Sequence, residues 1–371
     1  MPLYLTDDQV MLRETARSFM AEEGAIAKQL RHWRDKGCKD GFGHGLWKEF
    51  AELGFNGILI GESDGGLGLG HVEAGIVLEE IGRNLTPSPF LISAVAFVEA
   101  VKGTTLGERW FPGILSGETV AALAIDEGPK HRPDAVAMRA ERSGNGFALS
   151  GRKQFVVQGA SADVILVAAV TDEGPTVFAV EKEAKGLEVE GVRLADSSIG
   201  ARMTFDAVEV DADAVVGEVG GGGAVLARAL NAGRTGAAAE LVGVGAASMD
   251  MTVGYLKQRK QFGRLIGEFQ ALQFRAAHLY AELEIARAAT MKAQQLLDEG
   301  SPDAEAMVSV AKAKAGAAAA LAVQEGVQMH GGIGMTDEYD IGLYMKRDRV
   351  LNELFGDPAY HADRLARMKG Y

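Results

Sequence analysis

Three long, alanine-rich segments of helical periodicity lie in the last part of the sequence, and they constrain the fold more than any other feature. They occupy residues 225–257, 269–299 and 303–328, and only short connections separate them. Helices of this length joined by short loops pack side by side in antiparallel order. We therefore predict a helical domain of the four-helix-bundle type over residues 219–371.

The rest of the chain divides into two parts of different periodicity. Residues 1–118 are helical in pattern, beginning with a capping box made by Thr6 and Gln9. Between residues 119 and 218 the period changes to two, with β-branched runs at 164–170, 176–180 and 204–210. No helical pattern separates these runs, which favours an antiparallel sheet. The predicted fold is α+β, with an all-α N-terminal domain, a central antiparallel β domain and the helical C-terminal domain.

Charge and composition exclude several classes of protein. The net charge of −13 argues against a nucleic-acid-binding protein, which needs a basic face. No apolar run approaches the ~18 residues of a membrane span, and the first residues lack a signal-peptide pattern, so we expect a cytoplasmic location. The single cysteine, Cys38, can form neither an internal disulfide nor a thiolate metal site alone. We expect no metal.

A basic and aromatic motif stands at the end of the first long helix. It reads Arg-Lys-Gln-Phe-Gly at residues 259–263, and Gln270 opens the next helix. A planar guanidinium beside backbone N–H groups suits a pyrophosphate, and Phe262 with Gln270 would flank a purine. The alternative is that Arg259 only complements the helix dipole at a C-terminus.

A glycine-rich motif ends the third long helix. It begins at Gln328 and continues through His330 into Gly-Gly-Ile-Gly at residues 331–334. Glycines let a backbone approach a ligand closely, although they also simply terminate helices. His330 has no second histidine or carboxylate at metal-ligand spacing, which predicts a structural histidine.

The two motifs stand on helices that a bundle would bring near each other or near a symmetry mate. With both motifs present, the chain resembles the acyl-CoA dehydrogenase family over essentially its whole length. Residues 259–263 with Gln270 match the family's Arg-x-x-Phe-Gly signature, and Gln328 with residues 331–334 matches its Gln-x-x-Gly-Gly-x-Gly signature. Residues 65–68 and 153–159 match further family segments. The resemblance implies FAD-dependent α,β-dehydrogenation of an acyl-CoA thioester to the trans-2-enoyl-CoA, with electrons passed to an electron-transfer flavoprotein. It also implies a homotetramer, or a heterotetramer with a paralogous subunit.

The resemblance assigns residues to the cofactor and the substrate. The ADP half of FAD is implied to bind at Arg259, Gln261, Phe262, Gln270, Gln328, Gly331 and Gly332. The flavin ring is implied to lie against Ile125, Asp126, Phe155 and Val157. Arg234 is the implied substrate-binding residue. The ring-facing segments depart from the family, because a hydroxyl-bearing loop is replaced by Ile-Asp-Glu-Gly-Pro-Lys at residues 125–130.

The family's catalytic base is missing from both of its usual positions. The family glutamate near the C-terminus is replaced by Gly356, and the alternative position on the first long helix holds Gly233. Asp357 is the first candidate base, and its alternative role is to cap the last helix ahead of a proline. Glu240 is the second candidate, and its alternative role is a buried structural contact.

These departures resemble the small subunits of heteromeric acyl-CoA dehydrogenases that act on dicarboxyl, steroid side-chain or similarly bulky CoA thioesters. Three interpretations follow from this resemblance. The chain is an active dehydrogenase on its own, or a catalytically incomplete subunit that completes the FAD site of a paralogue, or a flavin monooxygenase on the same fold. Retention of both ADP-binding signatures disfavours the monooxygenase.

Overall fold

The structure is a computed structural model that describes residues 3–371. The chain forms two compact units. One comprises Met1–Lys28, His71–Thr86 and Arg234–Tyr371, and we call it the helical unit. The other comprises Gln29–Gly70 and Pro87–Gly233, and we call it the sheet unit. The N-terminal segment predicted as one domain, residues 1–118, is thus shared between the two units.

The helices confirm the predicted lengths of the three long segments to within three residues. The third extends to His330, two residues past its predicted end. A π-helix, Leu91–Phe97, directly precedes a short α-helix, Val98–Val101. The α-helices are α1 (Asp7–Glu22), α2 (His32–Asp35), α3 (His44–Glu52), α4 (His71–Asn84), α5 (Val98–Val101), α6 (Thr105–Leu115), α7 (Gly222–Leu256), α8 (Gln270–Asp298), α9 (Ala304–His330), α10 (Ile341–Glu353) and α11 (Pro358–Met368).

The strands form one seven-stranded sheet in the sheet unit and one small hairpin in the helical unit. The large sheet has the order β1-β4-β2-β3-β7-β6, with β5 also paired to β4. Its core is built from inward-facing residues such as Leu149, Ile165 and Phe178. The strands are β1 (Ala121–Ala124), β2 (Arg139–Ser143), β3 (Gly146–Val157), β4 (Val164–Thr171), β5 (Gly174–Glu181), β6 (Leu187–Arg193), β7 (Ile199–Val210), β8 (Lys260–Gln261) and β9 (Arg264–Leu265).

The large sheet is antiparallel in most of its pairings but not in all of them. The β2–β3, β3–β7, β4–β5 and β6–β7 pairs are antiparallel, as predicted. The prediction has to be corrected for β4, which runs parallel to both β1 and β2. The β2–β3 hairpin lies between β1 and β4 in the chain and makes the crossover that a parallel pair requires. The absence of a helical crossover therefore did not exclude parallel strands.

Glycines bring α4 close to the long helices within the helical unit. A Cβ at Gly82 would clash with the carbonyl oxygen of Glu240 on α7, and one at Gly75 would clash with Gln294 on α8. The Thr6 capping box at the start of α1 is confirmed. Gln9 N donates to the Thr6 hydroxyl oxygen, and Thr6 N donates to the side-chain oxygen of Gln9. The close approaches at Gly75 and Gly82 explain why α4 belongs to the helical unit, and α1 belongs to it by packing against α4.

Among the described residues, helix α9 with the turn after it is the one helical segment long and apolar enough to cross a membrane. By length and composition alone, Ala304–Met335 qualifies as a membrane span, with a mean hydropathy of 1.4 over its most apolar window. However, 56% of that window is buried inside the protein, and α9 packs against α8, α10 and α11. Core helices of folded proteins pass the same test, so this is weak evidence for a membrane span.

Candidate functional site

The first motif forms a hairpin at the end of α7. Strands β8 and β9 pair through Lys260–Leu265 and Gln261–Arg264, and the turn between them has positive φ at Phe262 (52°) and Gly263 (79°). Two successive left-handed residues are typical of a type I′ hairpin turn. Phe262 is 90% exposed at the tip. Arg259 and Gln261 are also exposed, and Gln270 is the exposed first residue of α8.

The second motif follows the end of α9. Gly331 has φ 64° and ends the helix, and Gly331–Met335 continues as a 3-10 turn. Nothing lies within 4 Å of a Cβ built at Gly331 or Gly332, so their backbone faces open space. Gln328, one turn earlier, is exposed as well.

The fold brings these two motifs together inside the helical unit. Leu256 at the end of α7, Ile266 after the hairpin and Met329 on α9 form one apolar cluster. The Tyr255 ring lies 4.6 Å from the His330 ring. We call the combined surface, residues 259–270 with 328–335, the nucleotide end. The prediction that the bundle brings the two motifs near each other is therefore confirmed.

His330 is a structural histidine, as predicted. Its Nδ1 lies 2.7 Å from the Gly326 carbonyl oxygen and its Nε2 lies 3.2 Å from the Tyr339 hydroxyl. Burial lowers the pKa of His330. Within residues 3–371, no group of three or more His, Cys, Asp or Glu side chains is placed to hold a metal ion.

The nucleotide end fits the ADP half of FAD. Exposed Arg259 offers a guanidinium for a diphosphate, and the uncovered backbone at Gly331 and Gly332 leaves room for a close approach. Phe262 offers an exposed ring face for a purine.

The segment that carries the family glutamate in other members is a strained turn here. We call residues 354–357 the vacant-base turn. It has φ 61° at buried Phe355 and 106° at Gly356. A Cβ at Gly356 would clash with the Tyr360 ring and would lie 3.1 Å from His361 Nε2. The turn therefore has no space for the glutamate side chain of the family.

Asp357 caps helix α11. Its Oδ1 accepts a hydrogen bond of 2.8 Å from Tyr360 N, and Pro358 follows at the first helical position. This confirms the capping role that we considered as the alternative to catalysis. Action of Asp357 as a base stays a prediction, and it would require the carboxylate to leave the helix end.

Arg234 is buried and binds the vacant-base turn. Its Nε donates to the Phe355 carbonyl oxygen at 3.3 Å, and its Nη2 donates to the Tyr360 hydroxyl at 3.2 Å. The guanidinium also lies 5.7 Å from the centre of the Tyr360 ring. Its predicted role toward substrate stays a prediction, whereas its contact with the turn is observed.

Glu240, the second candidate base, is engaged in a buried ion pair. Its Oε1 accepts hydrogen bonds from Arg347 Nε at 2.8 Å and from Arg347 Nη2 at 2.6 Å. Glu240 is 1% exposed. The predicted alternative, a buried contact between helices, is therefore confirmed. Proton abstraction from this position would break the pair and leave Arg347 without it.

In the sheet unit, the loop after β1 uses its carboxylates to stabilise itself. Asp126 accepts from Arg132 N at 3.1 Å and contacts His131 Nδ1 at 3.0 Å. Glu127 accepts from Lys153 Nζ at 2.7 Å, and Lys153 also donates to the carbonyl oxygen of Ile125 at 3.0 Å. Burial acts to raise the pKa of Glu127, but donation from Lys153 and from backbone N–H groups lowers it overall.

Phe155 and Val157 of β3, which the family resemblance implies to face the flavin ring, lie next to an irregularity in the sheet. The register between β3 and β7 shifts between Lys153 and Val156, and Phe155 in this bulge has φ 55°. Val157 is buried and pairs with Gly200 of β7. Bulges often redirect a side chain near a site, and Phe155 is half-buried at such a point.

Sequence reasoning did not identify the buried charges around the vacant-base turn. Lys312 on α9 is fully buried, and burial together with the charge of Arg234 lowers its pKa to about 7. Burial raises the pKa of Asp348 on α10 to about 7. The available signal was a lysine within an otherwise apolar, alanine-rich helical face.

Comparison with known proteins agrees with this geometry. The model of the acyl-CoA dehydrogenase C-terminal domain matches residues 220–369, and that of the N-terminal domain matches residues 6–118. A mitochondrial 2-methylacyl-CoA dehydrogenase of Solanum tuberosum is 32% identical over 370 residues, which cover 95% of this chain and 88% of the relative.

Two solved structures whose names pair two proteins have chains of very similar fold. One is a steroid acyl-CoA dehydrogenase variant, Tcur3481-Tcur3483, at a TM-score of 0.90 and 29% identity, covering 98% of each chain. The other is the ChsE4-ChsE5 complex from Mycobacterium tuberculosis, at a TM-score of 0.91 and 25% identity, covering 100% of each chain. Full-length similarity in sequence and fold, together with both family domains, shows that this chain belongs to the acyl-CoA dehydrogenase family of oxidoreductases.

Proposed function

We propose that this chain is the FAD-binding subunit of a heteromeric acyl-CoA dehydrogenase and that a paralogous partner supplies the catalytic carboxylate. One observation carries the proposal. Every carboxylate that the sequence offers as base is committed within the fold, Asp357 to the α11 cap and Glu240 to Arg347, and Gly356 has no space for a glutamate.

The reaction places two demands on the protein. A carboxylate must take the α-proton of the thioester while the β-hydrogen leaves with two electrons. FAD bound at this site would supply the acceptor for that hydride and the route by which the electrons reach an electron-transfer flavoprotein. In this chain Arg259 would pair with the diphosphate, Phe262 and Gln270 would flank the adenine, and Gln328 with the backbone of Gly331 would complete the grip.

The character of the similar assemblies supports a heteromer. Tcur3481-Tcur3483 and ChsE4-ChsE5 are both named as pairs of chains, and the first is named as a steroid enzyme. A bulky acyl-CoA, of the steroid side-chain type, is therefore our proposed substrate class. The cytoplasmic location stays a prediction.

Activity of the chain alone is the second candidate. It requires Asp357 to leave its capping position and to reach the substrate from a turn that Arg234 holds. The open nucleotide end argues against the third interpretation, since a monooxygenase that uses reduced FMN has no need of an ADP grip.

The test compares the chain alone with the chain co-expressed with each paralogue encoded nearby. The measurement is the visible flavin spectrum before and after anaerobic addition of straight-chain, branched and steroid side-chain acyl-CoA thioesters. We expect flavin bleaching only in a co-purified pair, and loss of bleaching when the partner's glutamate is changed to glutamine. Bleaching of the chain purified alone would contradict the proposal and support the second candidate.

A further inference from the structure

The vacant-base turn adopts a backbone conformation that it cannot hold unaided. Phe355, a bulky residue, has φ 61°, and Gly356 beside it has φ 106°. L-residues avoid this region, and such conformations persist only when the surrounding structure determines them. Phe355 is also only 5% exposed, so water does not hydrogen-bond to its backbone N–H and C=O groups.

Donors from three helices hold the carbonyl oxygens of this turn. Arg234 Nε on α7 and His361 Nε2 on α11 lie 3.3 Å and 3.1 Å from the Phe355 carbonyl oxygen. Lys312 Nζ on α9 donates to the Gly356 carbonyl oxygen at 3.1 Å. The three side chains reach the turn from different directions, so together they restrict its movement.

Lys312 also satisfies the end of the preceding helix. Its Nζ donates to the carbonyl oxygens of Leu351 at 2.9 Å and Asn352 at 3.3 Å, in the last turn of α10. Carbonyl groups in a last turn have no partner within their own helix. One ammonium, with three N–H groups, thus matches three buried carbonyl oxygens.

A small residue on the same face of α9 leaves room for the Lys312 contact. Gly316 stands one turn after Lys312, and a Cβ there would clash with Asn352 Oδ1 and lie 3.1 Å from Pro358. Asn352 Nδ2 donates to the Gly316 carbonyl oxygen at 3.4 Å. A small residue at 316 therefore lets α9 approach closely enough for Lys312 to reach the turn.

We propose that Lys312 is a positioning residue that ties the end of α10 to Gly356 and thereby fixes the vacant-base turn, with Tyr360 and the Asp357 cap behind it. This contact keeps closed the space that a glutamate side chain at position 356 would need. Any effect of this contact on acyl-CoA turnover rests on the proposed function, whereas its effect on the conformation of the turn does not.

The experiment measures amide hydrogen exchange of the purified full-length chain by mass spectrometry. The variants are K312M, which keeps most of the side chain's length and its apolar volume but has no donor, and K312A. We expect peptides that span residues 354–361 to exchange about tenfold faster or more in both variants. Peptides from the β8–β9 hairpin should keep their wild-type rate.

A chemical rescue separates positioning from simple packing. Added n-propylammonium replaces the atoms that K312A removes, and n-propanol has nearly the same shape without the ammonium. We expect n-propylammonium to slow exchange of residues 354–361 in K312A toward the wild-type rate and n-propanol to leave it fast. The matched control is K314M, because Lys314 lies on the same helix but pairs with Glu282 on α8.

The outcomes are distinct. Unchanged exchange at residues 354–361 in K312M would overturn the proposal, as would acceleration spread evenly over the helical unit or equal rescue by both additives. If K312A does not fold, K312M and G316A carry the test, and G316A should loosen the same peptides by pushing α9 away. Failure of the dehydrogenase proposal would instead appear as absent flavin bleaching in every co-purified pair, with the exchange pattern of the purified chain intact.

Discussion

The nucleotide end and the vacant-base turn lie in the same helical unit but are built in opposite ways. At the nucleotide end, Arg259 and Phe262 project into solvent and the glycines face open space. At the turn, Phe355 and Lys312 are buried and the backbone is held by donors from three helices. The first region is organised to receive a ligand, and the second is organised to stay closed.

This difference separates binding from stability. Substitutions at the nucleotide end should change affinity for FAD and leave folding intact, because few contacts of the protein depend on those side chains. Substitutions at the turn should change folding, because each side chain there satisfies a buried group.

The largest effect is expected for G356E, which restores the family glutamate. We expect the free energy of unfolding to fall by about 3 kcal/mol or more, because the side chain meets the Tyr360 ring and φ is 106°. Dehydrogenation by the chain alone should not appear. Chemical denaturation measures the loss, and G300A, with positive φ but no neighbour within 4 Å, should lose only about 1 kcal/mol. A stable, active G356E would show that the turn is not closed.

Breaking the Glu240 pair should have the next largest effect. We expect E240Q to lower the free energy of unfolding by about 2–3 kcal/mol, since Arg347 is only 20% exposed and loses its charged partner. The more exposed Arg275–Glu325 pair is the control, and E325Q should cost about 0–1 kcal/mol. If E240Q keeps wild-type stability but abolishes flavin reduction, Glu240 is the base.

R259A should act on binding alone. We expect FAD to bind about 10- to 100-fold more weakly, because one charge-assisted hydrogen bond is lost. The thermal stability of the protein should not change. Titration of apoprotein with FAD measures the affinity. K257A removes another exposed cation at the same helix end, and equal FAD affinity in the two variants would mean that Arg259 serves only the helix dipole.

The smallest effect is expected for D357N. Asn caps helices as well as Asp, so the free energy of unfolding should change by less than about 0.5 kcal/mol, whereas D357A should lose about 1 kcal/mol. Flavin reduction by the assembled enzyme should be the same in D357N as in the wild type. A large fall in the reduction rate of D357N, with stability unchanged, would identify Asp357 as the base and contradict our proposal.

The sequence predicted the nucleotide end well because the sequence signals for it are local. Helical periodicity marked α7 and α9, and Phe262-Gly263 and Gly331 stand where the backbone requires positive φ. The adjacency of the two motifs also followed from helix lengths, because short loops between long helices leave few arrangements. These inferences needed no knowledge of distant contacts.

The closed region was predicted only in part. The capping role of Asp357 follows from its own neighbours, and the sequence indicated it. The clash of Gly356 with Tyr360 and the reach of Lys312 to α10 depend on how three helices pack, which periodicity does not specify. The parallel pairing of β1 with β4 was missed for the same reason, since register between distant strands is a tertiary property.

The apolar length of α9 has a consequence for how the chain is made. During synthesis this segment emerges before α10 and α11, which cover part of it in the finished protein. For that interval it meets the length and hydropathy by which translocation machinery selects bilayer segments. A lysine at the centre of such a segment raises the cost of insertion by about 2.5–3.5 kcal/mol, and Lys312 and Lys314 both lie within this one. The two ammonium groups therefore also bias the nascent helix toward the protein interior instead of the lipid.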